Sequence, residues 1–493
     1  MNKRTWVCLR RDFQVSPCYW SLQIPALENM PSLLGASTSG RGMFKLIDSY
    51  MYMDSILAEE IGKAIKGSLL ELSKKVENGW RVSINPYLEA SKRIETANLA
   101  TLSDEELLSL LNKWEETHKE LLLFHPPSYF LAEAATGALQ HYLSAVVGER
   151  ALSFTFKLLS GFPDEAKKYT VDSDIWRLAM EVKQDEKKLS VLLEDKKAAV
   201  TELSKQKGFT DFLEKHGHLG EVDPYFPKFA DTPERILEMI ASYESHLEDP
   251  YIASVKLKKI REETTKEIMT ELKDSQRTEF TNLLDAVQSL YKLYEYEEHS
   301  LVRKGIASLR KLLLKMGENF ASVGILDDAA DIFFLEYEEI NRFHEQNAKQ
   351  LSATAAKRRR LFEENKGKPA LPIVTEERFN EPVAELNNTV ITGCGASQGI
   401  GSGTVKIIYG VDELWKVKKG MIVVTPMTFP EFSPIMSLVE GIITDEGGIC
   451  CHAGTLAREI GIPAVVGTRN ATKILRDGIK IRMDGLKGIV EIC

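Results

Sequence analysis

The stretch GGICCHAGTLAREIGIPAVVG, residues 447–467, decides how the C-terminal part of this chain is read. Two glycines and two cysteines lead to one histidine, His452, and residues 453–460 after it form the best helix candidate of the region. Gly447 and Gly448 permit backbone conformations closed to other residues and let a ligand come close. If a helix starts near His452, its first N–H groups lack partners within the helix and its dipole is positive there. A phosphate attached to the imidazole would be held by those N–H groups. Histidine is also a competent nucleophile that can split one difficult transfer into two easier ones. A buried structural histidine at a helix start is the other reading, and the residues alone leave both open.

Working outward, short apolar runs separated by glycine or proline read as strands. They are TVKIIY (404–409), MIVVT (421–425), GIIT (441–444), PAVVG (463–467), KIRMD (480–484) and GIVEI (488–492). The texture after about residue 385 is therefore α/β. Before it, three- and four-residue apolar spacing predicts long helices over 48–76, 173–205 and 255–316. Ser103 with Glu106 three residues later predicts a capping box opening a helix over 103–124. Between the two textures, 364–388 carries three prolines and mixed charge and reads as a linker. The run KRRR (357–360) is either a nucleic-acid patch or a solvated helix face, and the apolar Leu351, Ala355, Leu361 and Phe362 favour the face.

A chain of 493 residues calls for two to four domains. Hydrophobic content of 43% and charged content of 27% are those of a globular protein, and a net charge of -9 argues against general nucleic-acid binding. No apolar run approaches a membrane span, and the start lacks the apolar core of a signal peptide, so a cytoplasmic protein is expected. The six cysteines are few and irregular, which implies no disulfide framework, and the adjacent Cys450 and Cys451 lack the spacer of a zinc knuckle.

Residues 444–492 resemble the swivelling phosphohistidine domain of the phosphoenolpyruvate-utilising enzymes. That family's pattern is roughly G-G-x-[TC]-[SC]-H-A-[AG] followed by A-R-E-x-G-I-P-A-V-V-G. GCGASQGIGSGTVKII (393–408) resembles the family's opening glycine turn, and GMIVVTPMTFPEFSPIM (420–436) resembles its next strand and loop. The resemblance implies that His452 is phosphorylated and that Gly447, Gly448, Gly454 and Thr455 bind the phosphate. The implied fold is multidomain: a large, mostly α-helical acceptor-binding domain (1–385), then a compact α/β swivelling domain (386–493), with 364–388 as hinge.

The helical part resembles the rifampin phosphotransferase and pyruvate,water dikinase-like branch of the family. FLEKHGHLGEVDPYFPKFADTPERILEMIASY (212–243) is similar to that branch's G-H-R-G-x-x-E-x-D loop, with Leu219 in place of arginine, and GILDDAADIFFLEYEEI (324–340) is similar to a second stretch. By resemblance His218, Glu221 and Asp223 contact the phosphate acceptor. Read as residues alone, the His216–Asp223 loop is an acceptor loop, a plain surface loop or a His-x-His metal site. His125 is expected to end a helix and complement its dipole. Arg458, about 240° around the helix from His452, is expected in an ion pair. Glu459, one residue further, is nearly aligned with His452 but lies too far along the axis to touch the ring.

Residues 1–385 show no glycine-rich nucleotide loop, and the chain ends directly after its final strand. By resemblance to the phosphohistidine subunit of phenylphosphate synthase, the nucleotide is expected as Mg-ATP on a separate ATP-grasp subunit, with no cofactor held tightly here. The implied activity is that of a dikinase-type phosphotransferase subunit. It turns ATP, a small-molecule hydroxyl acceptor and water into phospho-acceptor, AMP and phosphate. A regulatory or scaffold protein switched by phosphorylation of His452 is the alternative, and catalytic turnover of an added acceptor separates the two. A third reading, a self-sufficient phosphoenolpyruvate-dependent transferase, would need the barrel that binds phosphoenolpyruvate in other members of the family.

Overall fold

The computed structural model describes residues 5–8, 16–34, 36, 44–47, 50–184, 195–243, 248–365, 373–375, 390–429 and 432–493. A large helical N-terminal region is followed by a C-terminal sheet domain. Two compact units form. One comprises Met1–Leu131, Glu221–Phe226 and Leu301–Glu381, and the other Ala132–Gly220, Pro227–Ser300 and Pro382–Cys493. The C-terminal sheet thus belongs to the same unit as much of the helical region.

The first unit is built on the helices Pro17–Leu33, Ser55–Thr96, Asp104–Leu122 and Arg303–Ser322, around buried Trp80, Tyr87, Trp114 and Phe320. The capping box forms: Ser103 Oγ accepts the Glu106 N–H at 3.2 Å, and Glu106 Oε2 accepts the Ser103 N–H at 2.8 Å. The helical reading of 48–76 is corrected at its start. Tyr50–Asp54 is a strand paired antiparallel with Phe44–Ile47, and the helix begins at Ser55. The alternating YMYM suits a strand once a partner lies two residues back, which helical periodicity could not register. His125 opens a helix, His125–Val147, rather than ending one. Pro126 and Pro127 fall in its first turn, where a missing N–H costs nothing.

Thr5–Cys8 and Ile373–Thr375 complete a four-stranded sheet in this unit. The last of these strands lies within the expected linker, whose residues 366–372 and 376–388 fall outside the described residues. The basic run 357–360 sits on the helix Ala348–Asn365 and is matched by acids. Arg358 pairs with Glu336 and Glu339, Arg359 with Asp331, and Arg360 with Glu364.

In the second unit, helices Asp172–Lys183, Lys196–Leu203, Lys207–His216 and Glu234–Ser242 pack round Ile175, Leu178, Phe209, Phe212, Phe229 and Ile240. Pro250–Glu271 and Asp274–Lys292 follow, and the chain then widens into a π-helical segment, Leu293–Val302. The eight-stranded sheet runs, edge to edge, Val390–Thr392, Ile489–Ile492, Lys480–Asp484, Ile400–Ile407, Met421–Thr425, Gly441–Thr444, Ala464–Val466 and Cys394–Ser397. The four strands from Ile400–Ile407 to Ala464–Val466 are parallel, and the outer pairings are antiparallel. Alternate residues supply its two faces. Val423, Ile442, Ala464 and Val466 lie in one apolar cluster, and Ile422, Val424, Ile443 and Val465 in the other. The helix His452–Ile460 crosses over between the parallel strands Gly441–Thr444 and Ala464–Val466. Its first residue therefore follows the carboxyl end of a central strand, where open α/β sheets place their ligands.

Candidate active site

His452 is the first residue of its helix. Cys451 caps it, its Sγ accepting the Gly454 N–H at 3.4 Å, and Gly461, at φ +84°, closes it in the left-handed conformation. Gly447 stands at φ +107°, and a Cβ there would come within 2.8 Å of Cys451 Sγ, so the turn that aims His452 needs glycine.

Glu295, on the π-helical segment, meets the ring: its Oε1 lies 3.0 Å from His452 Nδ1. Glu295 is only 6% exposed, and its Oε2 is buried without a hydrogen-bond partner. Burial raises Asp172 above the usual carboxylate range; Ser433 hydrogen-bonds it, and His452, His216 and Glu295 act on it electrostatically. Burial also pushes Glu459 up to about 7, although Tyr296 hydrogen-bonds it and opposes the shift, while the charges of Asp172 and Glu295 add to it. Burial holds the Cys451 thiol up at about 12, which makes it a packing and capping group rather than a thiolate nucleophile.

Arg458 is buried and forms hydrogen bonds in place of the expected ion pair. Nη1 donates to the carbonyls of Ala396 and Ile449 at 2.8 and 2.7 Å, and Nη2 to the Tyr291 hydroxyl at 3.2 Å. It ties the turn before His452 to an edge strand of the sheet.

Of the four residues read as phosphate ligands, Gly447 and Gly448 lie in the turn before His452, and Gly454 and Thr455 in the first turn of its helix. Gly454 gives its N–H to the cap, and Thr455 Oγ1 takes the Tyr291 hydroxyl at 2.7 Å. Gly448 faces Glu133, whose carboxylate would lie 2.8 Å from a Cβ there. The acceptor loop is divided. His218 is half-buried just after the helix Lys207–His216, within the second unit, whereas Glu221 and Asp223 belong to the first. Asp223 accepts the Ser16 N–H at 2.6 Å, the Ser16 hydroxyl at 3.0 Å and the Tyr225 N–H at 2.8 Å, a capping and turn-forming role. His216 Nε2 lies 2.8 Å from Asp174 Oδ2. Leu219 stands in the apolar cluster with Phe209, Phe212 and Phe229, which accounts for an apolar residue at that point of the loop.

Residues 417–488 match the PEP-utilising enzyme mobile domain. Residues 125–295 match the fourth domain of rifampicin phosphotransferase. His452 and its turn lie in the mobile domain, and Glu295 is the last residue of the fourth-domain match, so the pairing of Glu295 with His452 joins the two matched regions. Rifampicin phosphotransferase of Bacillus subtilis is 28% identical over 57% of this chain and 34% of its own length. The uncharacterized phosphotransferase YvkC of the same organism is 29% identical over 72% of this chain and 45% of its own. A probable phosphoenolpyruvate synthase of Archaeoglobus fulgidus is 52% identical over 101 residues, 20% of this chain and 13% of its own. The chain spans less than half the length of these relatives. Among the described residues no helix is long and apolar enough to cross a membrane.

Glu295 is the functional candidate that the sequence reading missed. Its signal was faint: an acidic residue at a buried position inside a long helical pattern, in YEYEEH (294–299).

Proposed function

We propose that this chain is the phosphohistidine-carrying component of a dikinase-type phosphotransferase, with His452 as the covalent carrier between an ATP-grasp donor in trans and a hydroxyl acceptor. The observation that carries the reading is the contact of His452 Nδ1 with the buried Glu295 carboxylate at the start of the helix. A carboxylate at Nδ1 takes a hydrogen bond from the Nδ1–H tautomer, which puts the ring lone pair on Nε2. It also stabilises positive charge on the ring as the N–P bond forms or breaks, and catalysis of phosphoryl transfer is largely such positioning and charge stabilisation.

Mg-ATP on the partner supplies the phosphoryl group. In the first step the bond between the α- and β-phosphates of ATP breaks, AMP leaves, the Nε2–P bond forms, the Nδ1 proton passes to Glu295, and water takes off the terminal phosphate. In the second the Nε2–P bond breaks, the phosphoryl group joins the acceptor oxygen, the acceptor proton is released to solvent, and the ring regains its proton from Glu295. Glu295, in contact with Nδ1, is well sited for the ring proton in both steps. His218, in the second unit, is the proposed acceptor contact. The swivelling of residues 386–493 between donor and acceptor stations, with 364–388 as hinge, belongs to the same proposal.

Single-turnover labelling with an ATP-grasp partner and Mg-ATP, followed by intact-mass spectrometry at neutral or basic pH, tests this. One acid-labile, base-stable phosphate is expected on His452. Full labelling and turnover in His452→Ala would overturn it.

A further inference from the structure

The helix bearing His452 meets the helical part of its own compact unit through two tyrosines five residues apart. The Tyr291 hydroxyl donates to Thr455 Oγ1 at 2.7 Å and accepts from Arg458 Nη2 at 3.2 Å. The Tyr296 hydroxyl donates to Glu459 Oε1 at 2.7 Å. Both phenol rings are buried and meet edge to face with centroids 6.3 Å apart, and Phe162 packs against both at 5.6 and 6.2 Å. A buried ring with a satisfied hydroxyl is a rigid, directional contact. Glu459 stands seven residues beyond His452, roughly 10 Å along the helix axis, so this contact sets the helix's place without reaching the reacting nitrogen.

We propose that Tyr291 and Tyr296 are positioning residues that dock the His452 helix at the acceptor station through Thr455, Arg458 and Glu459. The inference rests on the phosphotransfer reading for the purpose of docking, and on contacts within one unit for its existence.

The groups facing Glu459 decide the sign of its pH dependence. Tyr296 and Glu295 come from the π-helical segment, Asp172 from the helix it opens, and Arg458 from Glu459's own helix. Arg261, on the packed helix Pro250–Glu271, turns its guanidinium to the carbonyls of Ser160 and Gly161. Burial and two neighbouring carboxylates outweigh the hydrogen bond from Tyr296, leaving Glu459 at about 7 when docked, against an ordinary 4.5. Once undocked and solvated it returns toward the ordinary value. Docking is therefore unpenalised below 4.5, weakens as pH rises toward about 7, and levels off above that. The linkage allows up to about tenfold per pH unit in the docking equilibrium.

Hydrogen exchange of residues 448–460 in the full chain, expressed as protection factors at pH 6 and pH 8, tests the proposal. Wild type should lose protection several-fold between the two. Tyr291→Phe with Tyr296→Phe keeps both rings and should lose about tenfold at pH 6. Glu459→Gln keeps a partner for Tyr296 and should show equal protection at both pH values. If the double variant fails to fold, Tyr296→Phe alone is read. Unchanged protection in the Phe variants at pH 6, or a wild-type pH response in Glu459→Gln, overturns the proposal. Potassium phosphoramidate, which phosphorylates histidine with loss of ammonia and needs no partner protein, is the second probe. Its label on His452 should form faster in the Phe variants. Failure to label His452 under any condition counts against the transfer reading and leaves the exchange result to judge the docking contacts separately.

Discussion

Glu133 and Cys450 meet through one hydrogen bond, the carboxylate accepting the backbone N–H of Cys450 at 3.2 Å on the turn that leads into His452. A carboxylate therefore stands where the glycine turn offers itself to an anion. Burial raises Glu133 above the usual carboxylate range, while the Cys450 N–H and the Arg458 charge oppose the shift.

Glu133→Gln keeps an acceptor for the Cys450 N–H and removes a negative charge from the approach to His452. Phosphoramidate labelling of His452 should speed up several-fold, because one like charge no longer opposes the incoming phosphoryl group. Intact-mass time courses at neutral pH measure it, and a slower rate than wild type would contradict the electrostatic reading.

Glu295→Gln can still accept from Nδ1–H, yet it cannot balance a positive ring. Enzymatic phosphorylation and transfer should both slow, by about ten- to a hundredfold, while His452→Ala abolishes them. Single-turnover kinetics distinguish the two. Wild-type rates in Glu295→Gln would remove Glu295 from the chemistry.

Arg458→Lys cannot serve both carbonyls and the Tyr291 hydroxyl from one ammonium group. The loss should be about 1–3 kcal/mol in unfolding stability, and Arg458→Ala should cost more, because two buried carbonyls lose their donor. Denaturant melts of the full chain provide the comparison.

His118, in the first unit, is fully buried and stacks on Trp114 with centroids 4.4 Å apart, and neither ring nitrogen has a hydrogen-bond partner. Burial drives it down to about 3 from an ordinary 6.5, and His125 adds to the shift. The unfolded chain takes up the proton first, so this group's contribution is intact above 6.5 and is lost as pH falls toward 3. His118→Phe should flatten that acid limb and leave stability at pH 7 unchanged or higher, since it removes a desolvated polar group. Thermal melts from pH 7 to pH 4 decide it.

The sequence was most legible where chemistry and period agree. MIVVT, GIIT and KIRMD are strands at the expected residues, and the helix after the cysteines begins one residue earlier than expected, at His452 itself. Cys394–Ser397 was hidden because CGAS has neither branched nor bulky residues; the edge position, not propensity, makes it a strand. The N-terminal sheet was hidden because Thr5–Cys8 pairs with Ile373–Thr375, a separation that no local pattern reports. Glu295 escaped for the same reason: 157 residues separate it from His452, and only the packed fold makes them neighbours.

The π-helical segment Leu293–Val302 makes this site depend on counting. On an α-helix, residues five apart point roughly 140° away from each other. The wider i to i+5 turn begins at Leu293, and Tyr296 within it meets the same helix as Tyr291, which lies at the end of the preceding α-helix. Removing a single residue between them, even one whose side chain touches nothing, would let the turn tighten and swing Glu295 and Tyr296 off the face that meets His452. Length in this stretch is then as binding as any catalytic identity, and an insertion or deletion there should do more harm than most substitutions.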